Sequence, residues 1–154
     1  MGRGRLRGLP VPRLAVSPCA AQRILAFRRP RRARPRRRTL QSSELAREVV
    51  DALVDRQAAD VVLLDLSRLA AFADYFVIAT VDNVRQARAV LDHVTETVTA
   101  LGSDRPQPEG SPDAGWVLVD VGDGVIVHVF SLEARARYDL EGLWSRAQEV
   151  VRIQ

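Results

Sequence analysis

Two apolar runs closing on Gly122-Asp123-Gly124 constrain this chain more than any other feature. The stretch reads Trp116-Val-Leu-Val-Asp-Val-Gly-Asp-Gly-Val-Ile-Val-His-Val-Phe130. Glycines accept the positive φ of a tight turn, so the pattern predicts a β-hairpin. With those three residues as the loop, Val121 pairs with Val125. Strand side chains alternate between faces. Val117, Val119, Val121, Val125, Val127 and Val129 therefore share one face. Trp116, Leu118, Asp120, Ile126, His128 and Phe130 share the other, with Trp116 opposite Phe130 and Leu118 opposite His128.

The two faces differ in chemistry. Valines pack densely and carry no polar atoms to satisfy, so the first face suits a core. A face mixing Trp, His, Phe and Asp has two readings. It is either an interface, since exposed aromatics with a few polar groups make good anchors, or a second core face with His128 and Asp120 satisfied inside. A one-residue change of loop register would break the pairing but not the alternation within each strand.

Charge divides the chain in two. Residues 1–40 hold thirteen arginines, five of the eight prolines and no acid. Residues 41–154 hold ten arginines against nineteen acids, a net of −9 behind the overall +4. Like charges and few apolar side chains predict a disordered, Arg/Pro-rich N-terminal extension over residues 1–40. Its run from Arg28 to Arg38 would neutralise phosphates. Three readings stand: an RNA-touching tail, a transit peptide, or an upstream extension without a role. The single cysteine, Cys19, excludes an intramolecular disulfide and a cysteine metal cluster. No apolar run reaches the length of a membrane span, and Arg and Pro interrupt every apolar run near the N-terminus. The expected setting is the bacterial cytoplasm, with a mitochondrion or plastid as the alternative suggested by the basic N-terminus.

Residues 41–154 read as one domain. Ser42 or Ser43 is the expected cap of a helix from Glu44 to near Gln57, with Leu45, Val49, Ala52 and Leu53 as its apolar stripe. Residues 61–66 and 74–80 predict two strands. Asn83 caps a long helix ending near Gly102, with Val84, Ala87, Val90, Leu91, Val94, Val98 and Leu101 at helical spacing. Residues 103–115 predict a loop with a short edge strand. Ser131 and Asp139 are expected to cap two short helices, and the last few residues to pack loosely.

The expected fold class is α/β, or α+β: a mixed β-sheet with flanking helices. Catalysis lacks its parts. There is no phosphate-binding glycine loop, and the two histidines are far apart with no cysteine nearby. Two-metal phosphoryl transfer needs converging acids, yet Asp65 has Ser67 and Asp120 has Gly122 at the position where a second acid would share its face. Ser131 and His128 point to opposite faces, a poor nucleophile–base pair. No catalytic site, cofactor or metal is expected.

Several segments together resemble the ribosomal silencing factor family, also called Iojap-like. They are residues 74–80, Arg85-Gln86, residues 115–123, residues 127–130, Ala134-Arg135, residues 138–141 and Leu143-Trp144. The resemblance covers about residues 43–150. It departs after Thr80, where Val81-Asp82-Asn83-Val84 replaces a Gly-Asn-Ser-like turn.

The resemblance implies a nucleotidyltransferase-like fold without its catalytic signature. It implies a non-enzymatic factor that binds the large ribosomal subunit through universal ribosomal protein number fourteen. Such a factor blocks association with the small subunit, represses translation under nutrient limitation, and self-associates as a homodimer off the ribosome. It further implies a partner-binding set of Asp74, Tyr75, Trp116, His128, Phe130, Arg135, Tyr138, Asp139, Leu140 and Trp144. A net-negative domain suits a basic ribosomal protein and is repelled by rRNA. Two alternatives remain: a nucleotidyltransferase-type enzyme with an unrecognised site, and an RNA-binding module acting through the Arg-rich tail.

Overall fold

A computed structural model of the chain describes residues 41–70 and 72–154. The expectation of a disordered extension over residues 1–40 lies outside the described residues.

Helix α1 (Ser42–Asp55) opens the domain and buries Leu45, Ala46, Val49, Val50, Ala52 and Leu53. Its cap is Gln41, one residue before the expected serines. The Gln41 N–H donates to Glu44 Oε2 at 3.3 Å, so the Glu44 side chain reaches back over the first turn. Ser42 instead donates its hydroxyl to Asp74 Oδ2 at 3.2 Å.

Strands β1 (Ala59–Asp65) and β2 (Tyr75–Val81) pair antiparallel. Helix α2 (Val84–Ala100) follows, with Asn83 Oδ1 accepting the Gln86 N–H at 2.9 Å. The loop beyond it contributes the short strand β3 (Pro108–Ser111), and the hairpin strands are β4 (Trp116–Gly122) and β5 (Val125–Ser131). Two short helices, α3 (Leu132–Tyr138) and α4 (Leu140–Leu143), lead to β6 (Gln148–Ile153). Ser131 and Asp139 cap them as expected, accepting the N–H groups of Ala134 and Gly142.

The sheet order is β3-β4-β5-β2-β1-β6. Only β2 and β5 run parallel, joined by the long excursion through α2, β3 and β4. The sheet is mixed with helices on both sides, as the sequence pattern predicts.

Two expectations need correction. The hairpin loop has two residues and not three: Gly122 pairs with Val125, Val121 is the extra residue of a bulge, and Asp123-Gly124 makes the turn. Both turn residues have positive φ, 47° and 77°, matching the twist of the flanking strands. The Trp116–Phe130 and Leu118–His128 pairs stand, because the bulge lies between them and the turn. The last residues are not loose. They form β6, antiparallel to β1, with Val151 and Ile153 packed against the core. Their apolar run is too short for alternation to announce a strand.

Of the two readings of the sheet's second face, the structure supports the covered one. The six hairpin valines pack beneath α1 and α2 with Val61, Leu63, Val77 and Ala79. On the opposite side Val62, Leu64, Phe76, Ile78, Ile126 and Phe130 form another buried layer. Its cover is slight: Leu66, Ala73, Ala134 and Leu140, with Phe72, Trp116, Leu118 and Trp144 partly buried around them.

Candidate partner-binding face

Alternation along β4 and β5 brings Trp116, His128 and Phe130 together, and α3 swings Tyr138 onto them. The Trp116 ring stacks on Phe130 at 5.1 Å and meets Tyr138 at 4.7 Å. The rings continue through His128, 4.7 Å from Phe76, to Trp144, whose edge contacts fall 5.7 Å from Phe76 and 5.9 Å from Phe72. A continuous aromatic layer thus runs beneath α3 and α4, with Leu66 and Ala73 packed against it.

The sequence-nominated residues separate by depth. Phe130, His128, Leu140 and Arg135 are 0%, 1%, 3% and 7% exposed. These four side chains are therefore interior in the structure. Phe130 and His128 lie on inward-facing β5 beneath α3, and Leu140 is the inward residue of α4. Tyr138 is 43% exposed, while Trp116 and Trp144 are half-buried.

Asp74 and Tyr75 lie elsewhere. Tyr75 pairs with Val125 at the start of β5, whereas Phe130 pairs with Thr80 near its end. Five strand steps are roughly 17 Å. Tyr75 also packs with the valine cluster, on the opposite face from Trp116. Burial and the neighbouring Asp65 and Asp74 carboxylates raise its phenol pKa. The Asp74 carboxylate sits against Gly124, where an added Cβ would lie 2.6 Å from Oδ2, and its N–H donates to the Gly124 carbonyl at 2.7 Å. Asp74 therefore anchors the hairpin turn.

His128 is an apolar-layer histidine. Burial alone pulls its pKa from 6.5 to about 3, so the ring is neutral. The Trp116 indole Nε1–H donates to Nδ1 at 3.4 Å, a long bond that leaves the proton on Nε2. That nitrogen has no partner, and neither has the buried Trp144 Nε1.

Arg135 is a clasp. Its Nη1 donates to the Asp60 carbonyl at 2.6 Å and to Thr80 Oγ1 at 2.7 Å. Nε and Nη2 grip the two Glu141 oxygens at 2.9 Å each, and Nη2 also meets Asp60 Oδ2 at 3.1 Å. Bidentate geometry of this kind gives the strong form of an arginine–carboxylate pair. Arg152 on β6 adds bonds to Asp60 at 2.7 Å and Glu141 at 3.2 Å. The Arg135 hydrogen bonds hold the Glu141 carboxyl below its usual range, against the opposing effect of burial. This network ties α3 and α4 to β1 and β6. Asp139 caps α4 in the left-handed region, φ 40°.

The sequence reading missed what lies outside this layer. Leu132 is 75% exposed and Leu143 67% exposed, one on each short helix, and Tyr138 at the end of α3 is 43% exposed. Their signal was present as apolar residues off the inward stripe of helices with known caps. The partners of Arg135 are separated from it by up to 75 residues and left no local signal. Among the described residues, no cluster of three or more His, Cys, Asp or Glu could hold a metal ion, and no helix is long and apolar enough to cross a membrane. Asp65 and Asp120 serve local turns, accepting the N–H groups of Ser67 and Gly122.

Comparison with known proteins gives these features a setting. A family model described as ribosomal silencing factor during starvation matches residues 39–154. The ribosomal silencing factor RsfS of Halalkalibacterium halodurans is 35% identical over 111 residues, covering 72% of this chain and 94% of that protein. The corresponding Bacillus subtilis protein is 38% identical over 93 residues, 60% of this chain and 78% of its own. A crystal structure of a Chromobacterium violaceum protein superposes with a TM-score of 0.64 at 34% identity, over 69% of this chain and 88% of that one. Over the whole folded domain, by sequence and by fold, this chain belongs to the ribosomal silencing factor family.

Proposed function

We propose that this chain binds the large ribosomal subunit through its universal protein number fourteen and sterically blocks association with the small subunit. Translation would thereby be repressed under nutrient limitation. The observation that carries the reading is the exposed apolar surface of Leu132, Tyr138 and Leu143 over the aromatic layer, in a domain of this family. Exposed leucines beside a half-buried aromatic make a face that gains from being covered.

In this reading Trp116, Tyr138 and Asp139 are at or near the contact. His128, Phe130, Arg135 and Leu140 act from beneath by fixing the helices that carry it, and Trp144 borders it. Asp74 and Tyr75, at the other end of the strands, belong to the proposed contact set only if it extends along the sheet to the hairpin turn. The net charge of −9 on residues 41–154 favours a basic protein surface over rRNA. The action is steric and requires no catalytic group. Homodimerisation off the ribosome, weak rRNA contact by residues 1–40 and a bacterial cytoplasmic setting belong to the same proposal.

Sedimentation tests it. The chain is mixed with purified large subunits, and small subunits are added afterwards. Co-sedimentation with the large subunit and fewer joined ribosomes are expected. A folded chain that fails to co-sediment at low salt overturns the reading. Repeating the run with residues 41–154 separates a contribution of the basic tail, and Trp116→Ala with unchanged binding would remove that residue from the contact.

A further inference from the structure

We infer that Asp60 is a positioning residue for the proposed contact: from a bulge in β1 it fixes the two short helices that carry Leu132, Tyr138 and Leu143. The inference deepens the proposed function and rests on it for what those helices touch.

The backbone at Asp60 is unusual. Ala59 pairs with Thr80 and Val62 with Ile78, so two residues of β1, Asp60 and Val61, stand where β2 has only Ala79. Such a bulge takes one residue out of the ladder and re-aims its groups. Asp60 has φ 44°, in the left-handed region where glycine would be less strained. The reason for an aspartate there lies in what its carboxylate meets.

Main chain and side chain of Asp60 serve the same cation. The carbonyl accepts from Arg135 Nη1 at 2.6 Å, and Oδ2 meets Arg135 Nη2 at 3.1 Å. The other oxygen, Oδ1, accepts from Arg152 Nη1 at 2.7 Å, which joins the edge strand β6 to the same carboxylate. Asp60 is thus the β1 residue that meets both arginines. Arg135 is 7% exposed, so salt and water screen its contacts little.

The short helices depend on this hold. With seven and four residues, α3 and α4 are too short to be stable alone. Their buried apolar residues are Ala134 and Leu140. The bidentate Arg135–Glu141 pair joins one helix to the other. Asp60 and Thr80 tie that pair to β1 and β2, and Arg152 ties it to β6. Any displacement of the pair carries Leu132, Tyr138 and Leu143 with it, since they lie on the same two helices. The valine layer is covered by α1 and α2 instead, so loosening the tie should spare it.

The test uses the full chain in two variants. Asp60→Gly keeps the carbonyl, relieves the backbone and removes the carboxylate. Asp60→Asn keeps the size and tolerance of the left-handed region and removes the charge. Both should stay folded. Asp60→Gly should bind large subunits about tenfold more weakly, and Asp60→Asn about threefold. In NMR spectra the Leu132 and Leu143 methyls and the Tyr138 ring should shift, while the Val119 and Val127 methyls stay in place. The losses should also fall short of multiplying: Asp60→Gly added to Tyr138→Ala should weaken binding by less than about threefold further, because a ring that is gone cannot be misplaced. Undiminished subunit binding by Asp60→Gly overturns the inference. So do losses that multiply in full, and so do shifts on the valine side equal to those on the helices, which would make Asp60 merely structural. If Asp60→Gly does not fold, the same readings on Asp60→Asn decide, and failure of both to fold overturns the inference as well. Failure of the unaltered chain to bind subunits removes the proposed function alone, and the NMR comparison then decides whether Asp60 fixes the helices.

Discussion

The two faces of one sheet have been solved in opposite ways. The valine face lies under helices of 14 and 17 residues and is built of mostly fully buried aliphatic side chains, with Tyr75 partly buried against them. The aromatic face lies under a loop and helices of seven and four residues, with two ring nitrogens left without partners. The first arrangement buries aliphatic surface with few polar groups, Thr95 being the one polar residue on the buried face of α2. The second accepts orphaned donors, a neutral histidine and leucines in water. Natural sequences give up local consistency mainly where function demands it. The difference agrees with the contact proposed on the aromatic side.

The contrast can be broken or sharpened by substitution. The largest effect is expected at Phe76→Ala, which removes the ring joining His128 to Trp144. Loss of a fully buried aromatic should cost about 3–5 kcal/mol in urea unfolding. Val127→Ala, at the centre of the valine face, should cost about 2–3 kcal/mol through lost transfer and the cavity left behind. It should leave subunit affinity unchanged for the protein that remains folded. Tyr138→Ala should reverse that profile, with a melting temperature near the original and about 2 kcal/mol lost from large-subunit binding, read by quantitative sedimentation. Equal loss of binding from Val127→Ala would erase the distinction between the faces.

Acid should reach one face only. His128 binds its proton in the unfolded chain near pH 6.5 but in the folded one only near pH 3. The unfolded state thus holds more protons between these values, and stability falls as pH falls through that window. The slope approaches about 1.4 kcal/mol per pH unit, so roughly 2 kcal/mol should be gone by pH 5. Unfolding curves for His128→Leu should lack this component between pH 7 and pH 5. An unchanged slope would mean that other groups carry the acid response. The smallest effect is expected at Leu132→Ser, within about 0.5 kcal/mol of the original stability because the side chain is already in water.

What could be read from sequence followed the range of the forces involved. The hairpin, the alternation of its faces and the caps Asn83, Ser131 and Asp139 depend on neighbours within a few residues, and they stand in the structure. The loop length escaped because Gly122, Asp123 and Gly124 all take positive φ, and only the pairing of Gly122 with Val125 places Gly122 in the strand. Strand β6 escaped because its partner β1 lies more than 80 residues away. At the candidate site, Trp116 and Tyr138 were legible as aromatics on a patterned surface. The depth of His128 and Phe130 was not, since alternation gives a side chain's face but not what covers it. Arg135 reads as a surface cation on a short helix, and only the fold brings Asp60, Thr80 and Glu141 to it.

The ring layer also makes the molecule optically one-sided. Both of the chain's tryptophans, Trp116 and Trp144, belong to it, and the valine side has none. Indole emission excited at the red edge therefore observes a single side of the sheet, whereas far-ultraviolet dichroism observes both through the backbone. A cover that loosened before the helical side would separate the two signals on heating, and coincident curves would mark the two layers as one cooperative unit.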